Sequence, residues 1–94
     1  MPMFALHCLD NPGALPLRLE VRSRHLEYVG STGVVKLGGP YLNEKGEPVG
    51  SLIIVEVEDE AAAEAFSRND PYRKEGVFGT VEIRAWRYTA GQLP

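Results

Sequence analysis

Four stretches of the chain carry the hydrophobic patterns of β-strands. Residues 3–9 form an almost continuous apolar run that only His7 interrupts, and residues 52–57 form another; both are typical of strands buried on two faces. A shorter strand is predicted over residues 34–38, and it ends in the sequence Gly38-Gly39-Pro40. Residues 77–88 alternate between two faces with period two, which predicts a long fourth strand.

Two further segments have helical spacing. At 100° per residue, the apolar side chains of residues 14–31 fall on two neighbouring stripes, and His25 lies between them. The stripes consist of Leu15, Leu19, Leu26 and Val29, and of Leu17, Val21 and Tyr28. His25 is therefore expected to face a buried or half-buried site. Residues 59–68 predict a shorter, alanine-rich helix, and the Asp70-Pro71 segment after it predicts a loop.

These elements follow the order strand, helix, strand, strand, helix, strand, which is that of the ferredoxin-like βαββαβ fold. We therefore expect one α+β domain over residues 1–94, with both helices on one face of a four-stranded antiparallel sheet. The other face would expose Phe4 or Ala5, and Ile53 or Ile54, to water. Contiguous apolar surface of this kind usually has a partner, so the pattern predicts a homodimer whose sheets pack face to face.

Composition and charge exclude several classes of protein. Cys8 is the only cysteine, so an internal disulfide is impossible, and no Cys/His cluster has zinc-like spacing. Neither a metal nor a cofactor is therefore expected. The net charge of -3 argues against nucleic-acid binding. No apolar run approaches a membrane span and no signal peptide is evident, so the expected location is the cytoplasm. Residues 90–94 are expected to fray.

His25 and Asp70 are the candidate acid/base pair. Histidine is the side chain whose unperturbed pKa lies between pH 5 and 8, and a carboxylate on one ring nitrogen fixes the tautomer at the other. The alternative for His25 is a structural histidine bonded to a backbone carbonyl. The alternative for Asp70 is an N-cap, because Pro71 follows it. Asp70 can fill the capping role and the acid/base role together if one carboxyl oxygen forms the N-cap and the other accepts a hydrogen bond from His25. The second histidine, His7, is expected in the core or an interface.

Four more residues are candidates for binding a small-molecule substrate: Arg22, Gly39, Ser51 and Tyr72. Arg22 either binds an acidic group of the substrate or pairs with a carboxylate of the protein. Tyr72 either donates a hydrogen bond to substrate or closes its loop. Ser51 follows a glycine at a strand start and is expected to line a pocket. A nucleophile is not expected here, because no elbow motif surrounds Ser51. Gly39 and its neighbour Gly38 permit close backbone approach at a strand end.

Short motifs run in order along residues 3–88. They are Arg22-x-x-His25-Leu26, Gly33, Gly38-Gly39-Pro40, Gly50-Ser51-Leu52, Asp70-Pro71-Tyr72, Val77-Phe78 and Trp86. In this order they resemble the YciI-like family of the dimeric α/β-barrel superfamily. One residue departs from the family pattern, because Ala85 stands where members usually have a proline.

The resemblance implies a ferredoxin-like dimer with a pocket between the first helix, the sheet and the loop after the second helix, and a catalytic pair of His25 and Asp70. The family includes a dehydrochlorinase of a chlorinated hydroxyquinol, and the superfamily includes muconolactone isomerases and cofactor-free monooxygenases. The hypothesis is a cofactor-independent lyase or isomerase acting on a small, partly apolar, acidic or phenolic metabolite, with Arg22 and Tyr72 holding an oxyanion. The alternative is a non-catalytic small-molecule-binding or accessory dimeric subunit.

Overall fold

The computed structural model describes residues 1–92, which fold into a sheet and helices in the predicted order. The elements are β1 (Met3–Asp10), α1 (Leu15–Thr32), β2 (Val35–Leu42), β3 (Pro48–Glu56), α2 (Glu60–Asn69), α3 (Pro71–Lys74) and β4 (Phe78–Trp86). The strands form one antiparallel sheet in the order β2-β3-β1-β4. This is the ferredoxin-like α+β fold, so the predicted fold class is confirmed. The predicted fraying of residues 90–94 falls partly on residues 93 and 94, which lie outside the described residues.

The core lies between the helices and one face of the sheet. Alternate residues of β1 and β3 point to this side and are buried: Phe4, Leu6, Cys8, Ile53 and Val55. Val21 of α1 and Ala63 and Phe66 of α2 belong to the same cluster. Because the side-chain period of a strand is two, the intervening residues must lie on the opposite face.

That opposite face carries Ala5 and Ile54, which are cross-strand partners. Of the alternatives left open by the sequence, the structure places Ala5 rather than Phe4, and Ile54 rather than Ile53, on this face. The expected exposure of Ile54 to water is wrong, because Ile54 is only 2% exposed. His7 lies on the same face, where its Nδ1 is 2.7 Å from the hydroxyl of Tyr41. Leu9 is 44% exposed there, so an apolar side chain faces water on the side without helices.

Strands β2 and β3 are longer than the sequence predicted. The second strand was expected to end at residue 38, but β2 continues to Leu42, and β3 begins at Pro48 rather than residue 52. Residues 39–41 of β2 pair with residues 50–52 of β3. β2 is an edge strand, where a proline such as Pro40 leaves no ladder hydrogen bond unmade. The Gly-Gly-Pro sequence is therefore accommodated inside the strand.

The segment after α2 is a single helical turn, α3, rather than the predicted loop. Asp70 is its N-cap, with φ -66° and ψ 126°, and Pro71 occupies the start of the turn. The Asp70 side chain accepts a hydrogen bond from the backbone N–H of Tyr72 at 2.9 Å. The turn places the Asp70 carboxyl and the Tyr72 ring against α1.

The buried face of α1 differs from the predicted apolar stripes. Its buried residues are Arg18, Val21 and His25, whereas Leu19 and Leu26 are 60% and 47% exposed. Arg18 and His25 are buried because other elements supply their hydrogen-bond partners. Helical periodicity does not reveal such partners. No helix within residues 1–92 is long and apolar enough to cross a membrane.

Candidate active site

A cavity of about 310 Å³ opens between α1, β2, β3 and α3. Its polar lining consists of Arg18, Arg22, His25, Ser51 and Tyr72, and its apolar lining includes Leu19, Leu26, Val29, Val35 and Ile53. The volume is near the lower end of the range of about 300–1,000 Å³ found for ligand pockets. A cavity of this size and lining suits one small molecule with an apolar body and a few polar groups.

His25 and Asp70 meet at the wall of this cavity. His25 Nδ1 lies 2.8 Å from Asp70 Oδ1, and the two side chains are 11% and 2% exposed. An ionised carboxylate only accepts hydrogen bonds, so Nδ1 carries the proton and the neutral ring keeps its lone pair on Nε2. Nε2 makes no hydrogen bond within residues 1–92, and no buried side-chain polar atom there lacks a partner. Nε2 is therefore accessible, on a side chain that borders the cavity.

The Asp70 carboxyl serves two neighbours through one oxygen. Oδ1 accepts from His25 Nδ1 and also from the backbone N–H of Tyr72. The sequence analysis assigned one Asp70 oxygen to the cap and the other to His25. The structure corrects this assignment, because the same oxygen, Oδ1, accepts both hydrogen bonds. Because Asp70 is held by the first turn of α3, the start of that turn sets the orientation of the imidazole.

Tyr72 packs against the other polar groups of the cavity. Its ring stacks on that of His25, with centroids 4.0 Å apart and planes inclined by 13°. The guanidinium carbon of Arg18 lies 4.7 Å from the Tyr72 centroid. Burial raises the pKa of the Tyr72 hydroxyl, although Arg18 and Arg22 partly oppose this effect. The hydroxyl therefore stays protonated at neutral pH and is available as a donor.

Arg18 is the site residue that sequence reasoning missed. It is only 5% exposed. Its Nε donates to Asp10 Oδ2 at 2.8 Å, and its Nη2 donates to the Gly50 carbonyl and to Ser51 Oγ at 2.8 and 2.7 Å. Charged helix residues are usually solvated, which is why Arg18 was not singled out. The available signal was its spacing of four and seven residues from Arg22 and His25, which puts the three side chains on one side of the helix.

The remaining predicted residues border the same cavity in different ways. Ser51 is buried, and its hydroxyl oxygen accepts from Arg18, so it anchors the guanidinium. Arg22 is exposed at the rim and makes no hydrogen bond or ion pair with any residue that the structure describes. The protein carboxylate suggested as its alternative partner is thus not found within residues 1–92. Gly39 lines the cavity from β2.

Other reactive groups in the described part of the chain are few. Burial raises the pKa of the Cys8 thiol to about 12, and the nearby carboxylates of Asp70 and Asp10 contribute. Cys8 is therefore a protonated core side chain and not an activated thiolate. No group of three or more histidine, cysteine, aspartate or glutamate side chains within residues 1–92 is arranged to hold a metal ion.

The ferredoxin-like fold and the hydrogen-bonded histidine–aspartate pair beside a small cavity define an α+β domain with a candidate small-molecule site. The particular family follows from the sequence. The model of the YCII-related domain matches residues 3–87, and the chain belongs to this family. The predicted resemblance is thereby confirmed. No curated protein sequence matches the chain significantly.

Solved structures share the fold to different degrees. 5-Chloro-2-hydroxyhydroquinone dehydrochlorinase (TftG) from Burkholderia phenoliruptrix AC1100, in complex with 2,5-dihydroxybenzoquinone, matches with a TM-score of 0.83 and 28% identity over 93% of this chain and 95% of that chain. An antibiotic biosynthesis monooxygenase matches with a TM-score of 0.58 and 12% identity over 96% and 100% of the two chains. Protein Atu4242 from Agrobacterium tumefaciens matches with a TM-score of 0.57 and 13% identity over 95% of this chain and 94% of that chain. The last two comparisons show the fold alone.

Proposed function

We propose that this protein is a cofactor-independent lyase or isomerase acting on a small, partly apolar molecule with acidic or phenolic oxygens. The observation that carries the proposal is the 2.8 Å contact between His25 Nδ1 and Asp70 Oδ1 beside a cavity with an apolar wall. The similarity to a dehydrochlorinase over almost the whole chain supports a small-molecule-processing enzyme.

The proposed chemistry begins with proton transfer to His25. Nε2 takes a proton from a carbon or hydroxyl of the substrate, and the Asp70 carboxylate stabilises the imidazolium that forms. In a lyase the electron pair left on the substrate forms a new double bond as chloride or another leaving group departs, and His25 returns its proton to water. In an isomerase His25 returns the proton to a different substrate atom. Both routes balance without an oxidant or reductant.

The charge that develops on the substrate during proton transfer needs donors beside it. Preorganised donors of this kind usually make the largest single contribution to catalysis. The Tyr72 side chain borders the cavity, and its hydroxyl is protonated at neutral pH because burial raises its pKa. Arg22 lies at the rim of the same cavity. We propose that Tyr72 donates to the developing oxyanion and that Arg22 raises the local positive potential.

The direct test uses 5-chloro-2-hydroxyhydroquinone and other halogenated hydroxyquinols under anaerobic conditions, with muconolactone as the isomerase substrate. For a lyase we expect chloride and product to appear in equal amounts, faster than in protein-free buffer. Ion chromatography measures the chloride and absorbance follows the product. Binding of these compounds with neither chloride release nor isomerisation would contradict the enzyme and favour the non-catalytic binding or accessory subunit.

We also propose a homodimer that forms through the sheet face without helices. This face presents Ala5, Leu9 and Leu52 beside Ile54, and Ile54 is buried although it lies outside the main core. Apolar surface in the middle of an open sheet is costly to leave in water. A second copy of the chain, with the same face, would cover it.

Light scattering at micromolar concentration tests the dimer. We expect the wild-type protein to have the mass of two chains. Leu9→Glu should give the mass of one chain, because it introduces a charge at the proposed interface on a side chain already 44% exposed in the monomer. Leu26→Glu is the matched control, since Leu26 is 47% exposed but lies on α1, on the helix side. A wild-type mass of one chain would contradict the proposed interface.

A further inference from the structure

Glycines inside β-strands lower stability, because they pack no side chain and lose the most conformational freedom on folding. Two of the strand glycines are required by packing. A Cβ on Gly50 would collide with the carbonyl oxygen of Cys8, and a Cβ on Gly79 would lie 2.6 Å from Asn11 Oδ1. The same explanation does not hold for Gly38 of β2.

The backbone at position 38 can carry a side chain. The three nearest neighbours of a Cβ there would all belong to β3: the Leu52 carbonyl oxygen at 3.3 Å, Ile53 Cα at 3.7 Å and Ile53 Cγ1 at 3.8 Å. Only the first contact is tight, and a small shift of β2, which is an edge strand, relieves it. The φ angle of Gly38 is negative, so alanine adopts this backbone without strain. Packing therefore does not require glycine at position 38.

The side chain that Gly38 lacks would stand in the cavity that His25 borders. Gly38 is the cross-strand partner of Ile53, and both residues line the cavity. A Cβ 3.8 Å from Ile53 Cγ1 would lie on the same side of the sheet as that side chain, which is the helix side. Gly39 also lines the cavity, but a Cβ there would point to the opposite face, because successive strand residues alternate. Of these two glycines, Gly38 is the one that leaves space in the cavity.

The space beside Gly38 matters because the cavity is small. Its volume of about 310 Å³ is near the lower end of the range of about 300–1,000 Å³ for ligand pockets, so each carbon added at position 38 would take a useful part of it. The surrounding wall includes Leu26 and Val29 of α1 and Val35 of β2. Apolar walls of this kind suit an uncharged substituent, since an unpaired charge is costly to bury.

We infer that Gly38 is a specificity-determining residue of the cavity, because the side chain that it lacks leaves room for an apolar substituent on the substrate. The inference deepens the proposed function and rests on its assignment of this cavity as the substrate site. Gly38 has no side chain that could move a proton. It therefore controls which molecules fit beside His25, and it takes no part in their chemistry.

The first test measures how the wild-type protein binds phenol and its 4-methyl, 4-isopropyl, 4-tert-butyl and 4-phenyl derivatives. All five are neutral at pH 7 and carry one phenolic oxygen, so only the size of the apolar substituent changes. Titration calorimetry should show tighter binding of the larger members, up to a size limit, because the substituent buries apolar surface. A wild type that binds none of the five at millimolar concentration, or phenol alone, overturns the inference.

Two replacements of Gly38 should lower this size limit. We expect Gly38→Val to bind the largest phenol that the wild type accepts about 10- to 200-fold more weakly, the effect of a methylene-sized change in an apolar pocket. Its affinity for phenol itself should change less than threefold. Gly38→Ala should show the same order with smaller losses. A loss in Gly38→Val that is equal for all five phenols overturns the inference, because uniform weakening is not selection by size.

Gly30→Ala and Gly30→Val are the matched controls. Gly30 is an exposed glycine of α1 that does not border the cavity, and a Cβ on it would meet nothing within 4 Å. Both controls should bind the series as the wild type does. An unchanged size limit in the folded Gly38 variants, or an equal change in the Gly30 variants, overturns the inference. Failure of both Gly38 variants to fold, checked by circular dichroism, also overturns it, since packing would then require the glycine.

These measurements separate the inference from the proposed function. Binding of phenols does not require turnover, so the size limit can be measured in a protein without any known substrate. If residue 38 sets the size limit but no substrate is turned over, the inference about Gly38 stands and the proposed enzyme fails. If substrate is turned over but the size limit is independent of residue 38, the inference fails and the enzyme stands.

Discussion

Replacement of His25 by glutamine should lower the turnover of a confirmed substrate by about 10²- to 10⁴-fold, the usual contribution of one general acid/base group. The amide of glutamine neither accepts nor releases a proton near neutral pH. The ring nitrogen that it removes, Nε2, is accessible beside the cavity, while Nδ1 is occupied by Asp70. Affinity for a ligand should change much less than turnover, because Tyr72 and Arg22, the residues proposed to hold the oxyanion, remain beside the cavity.

His25→Asn serves as a companion variant for this prediction. Its amide nitrogen lies near the position of Nδ1 and keeps a donor toward Asp70, so a stability loss from an unpaired Asp70 carboxyl is reduced. Steady-state kinetics of both variants, with substrate affinity from calorimetry, check the result. A loss of less than tenfold in kcat for both variants would rule out His25 as the base.

Two replacements of Asp70 should separate its structural role from its chemical role. Asp70→Asn keeps an oxygen that accepts from the Tyr72 backbone N–H and from His25 Nδ1, so we expect the free energy of unfolding to fall by only about 1 kcal/mol. The variant loses the negative charge that stabilises the imidazolium and the fixed preference for the productive tautomer. Turnover should therefore fall by about 10²-fold or more.

Asp70→Ala should show the structural cost in full. It removes the cap of α3 and leaves the Nδ1 proton of His25 buried without a partner, since Asp70 is 1% exposed. We expect the free energy of unfolding to fall by about 2–4 kcal/mol, from the lost cap and the unsatisfied donor. Urea denaturation measures both variants. If Asp70→Asn keeps wild-type turnover and only Asp70→Ala is impaired, Asp70 is a capping residue and not part of the catalytic pair.

Local patterns were enough to predict much of the framework. Period-two and period-3.6 patterns gave the order of strands and helices, because burial of one face imposes its period on the sequence. The same periodicity indicated that His25 faces inward, and His25 does lie against the core side of α1. Motifs near residues 22–26 and 70–72 pointed to the YCII-related family, which the family model confirms.

Local patterns failed where a backbone or side chain depends on partners elsewhere. The Gly-Gly-Pro sequence indicates a break, yet β2 continues to Leu42 because it is an edge strand paired with β3. Leu19 and Leu26 were expected on a buried stripe but are exposed beside the cavity. The exposed fraction of these side chains depends on how the cavity opens between α1 and β2, which helical spacing does not encode.

The sequence by itself determined the fold class, the family and the candidate pair of His25 and Asp70, because hydrophobic periodicity and short motifs are properties of neighbouring residues. Only the tertiary structure decided that Asp70 serves both His25 and the cap through one oxygen, and that Arg18 is buried. The groups that hold Arg18 come from β1 and β3, at Asp10, Gly50 and Ser51. A buried charge is tolerated only where such partners converge, and their convergence is a property of the folded chain.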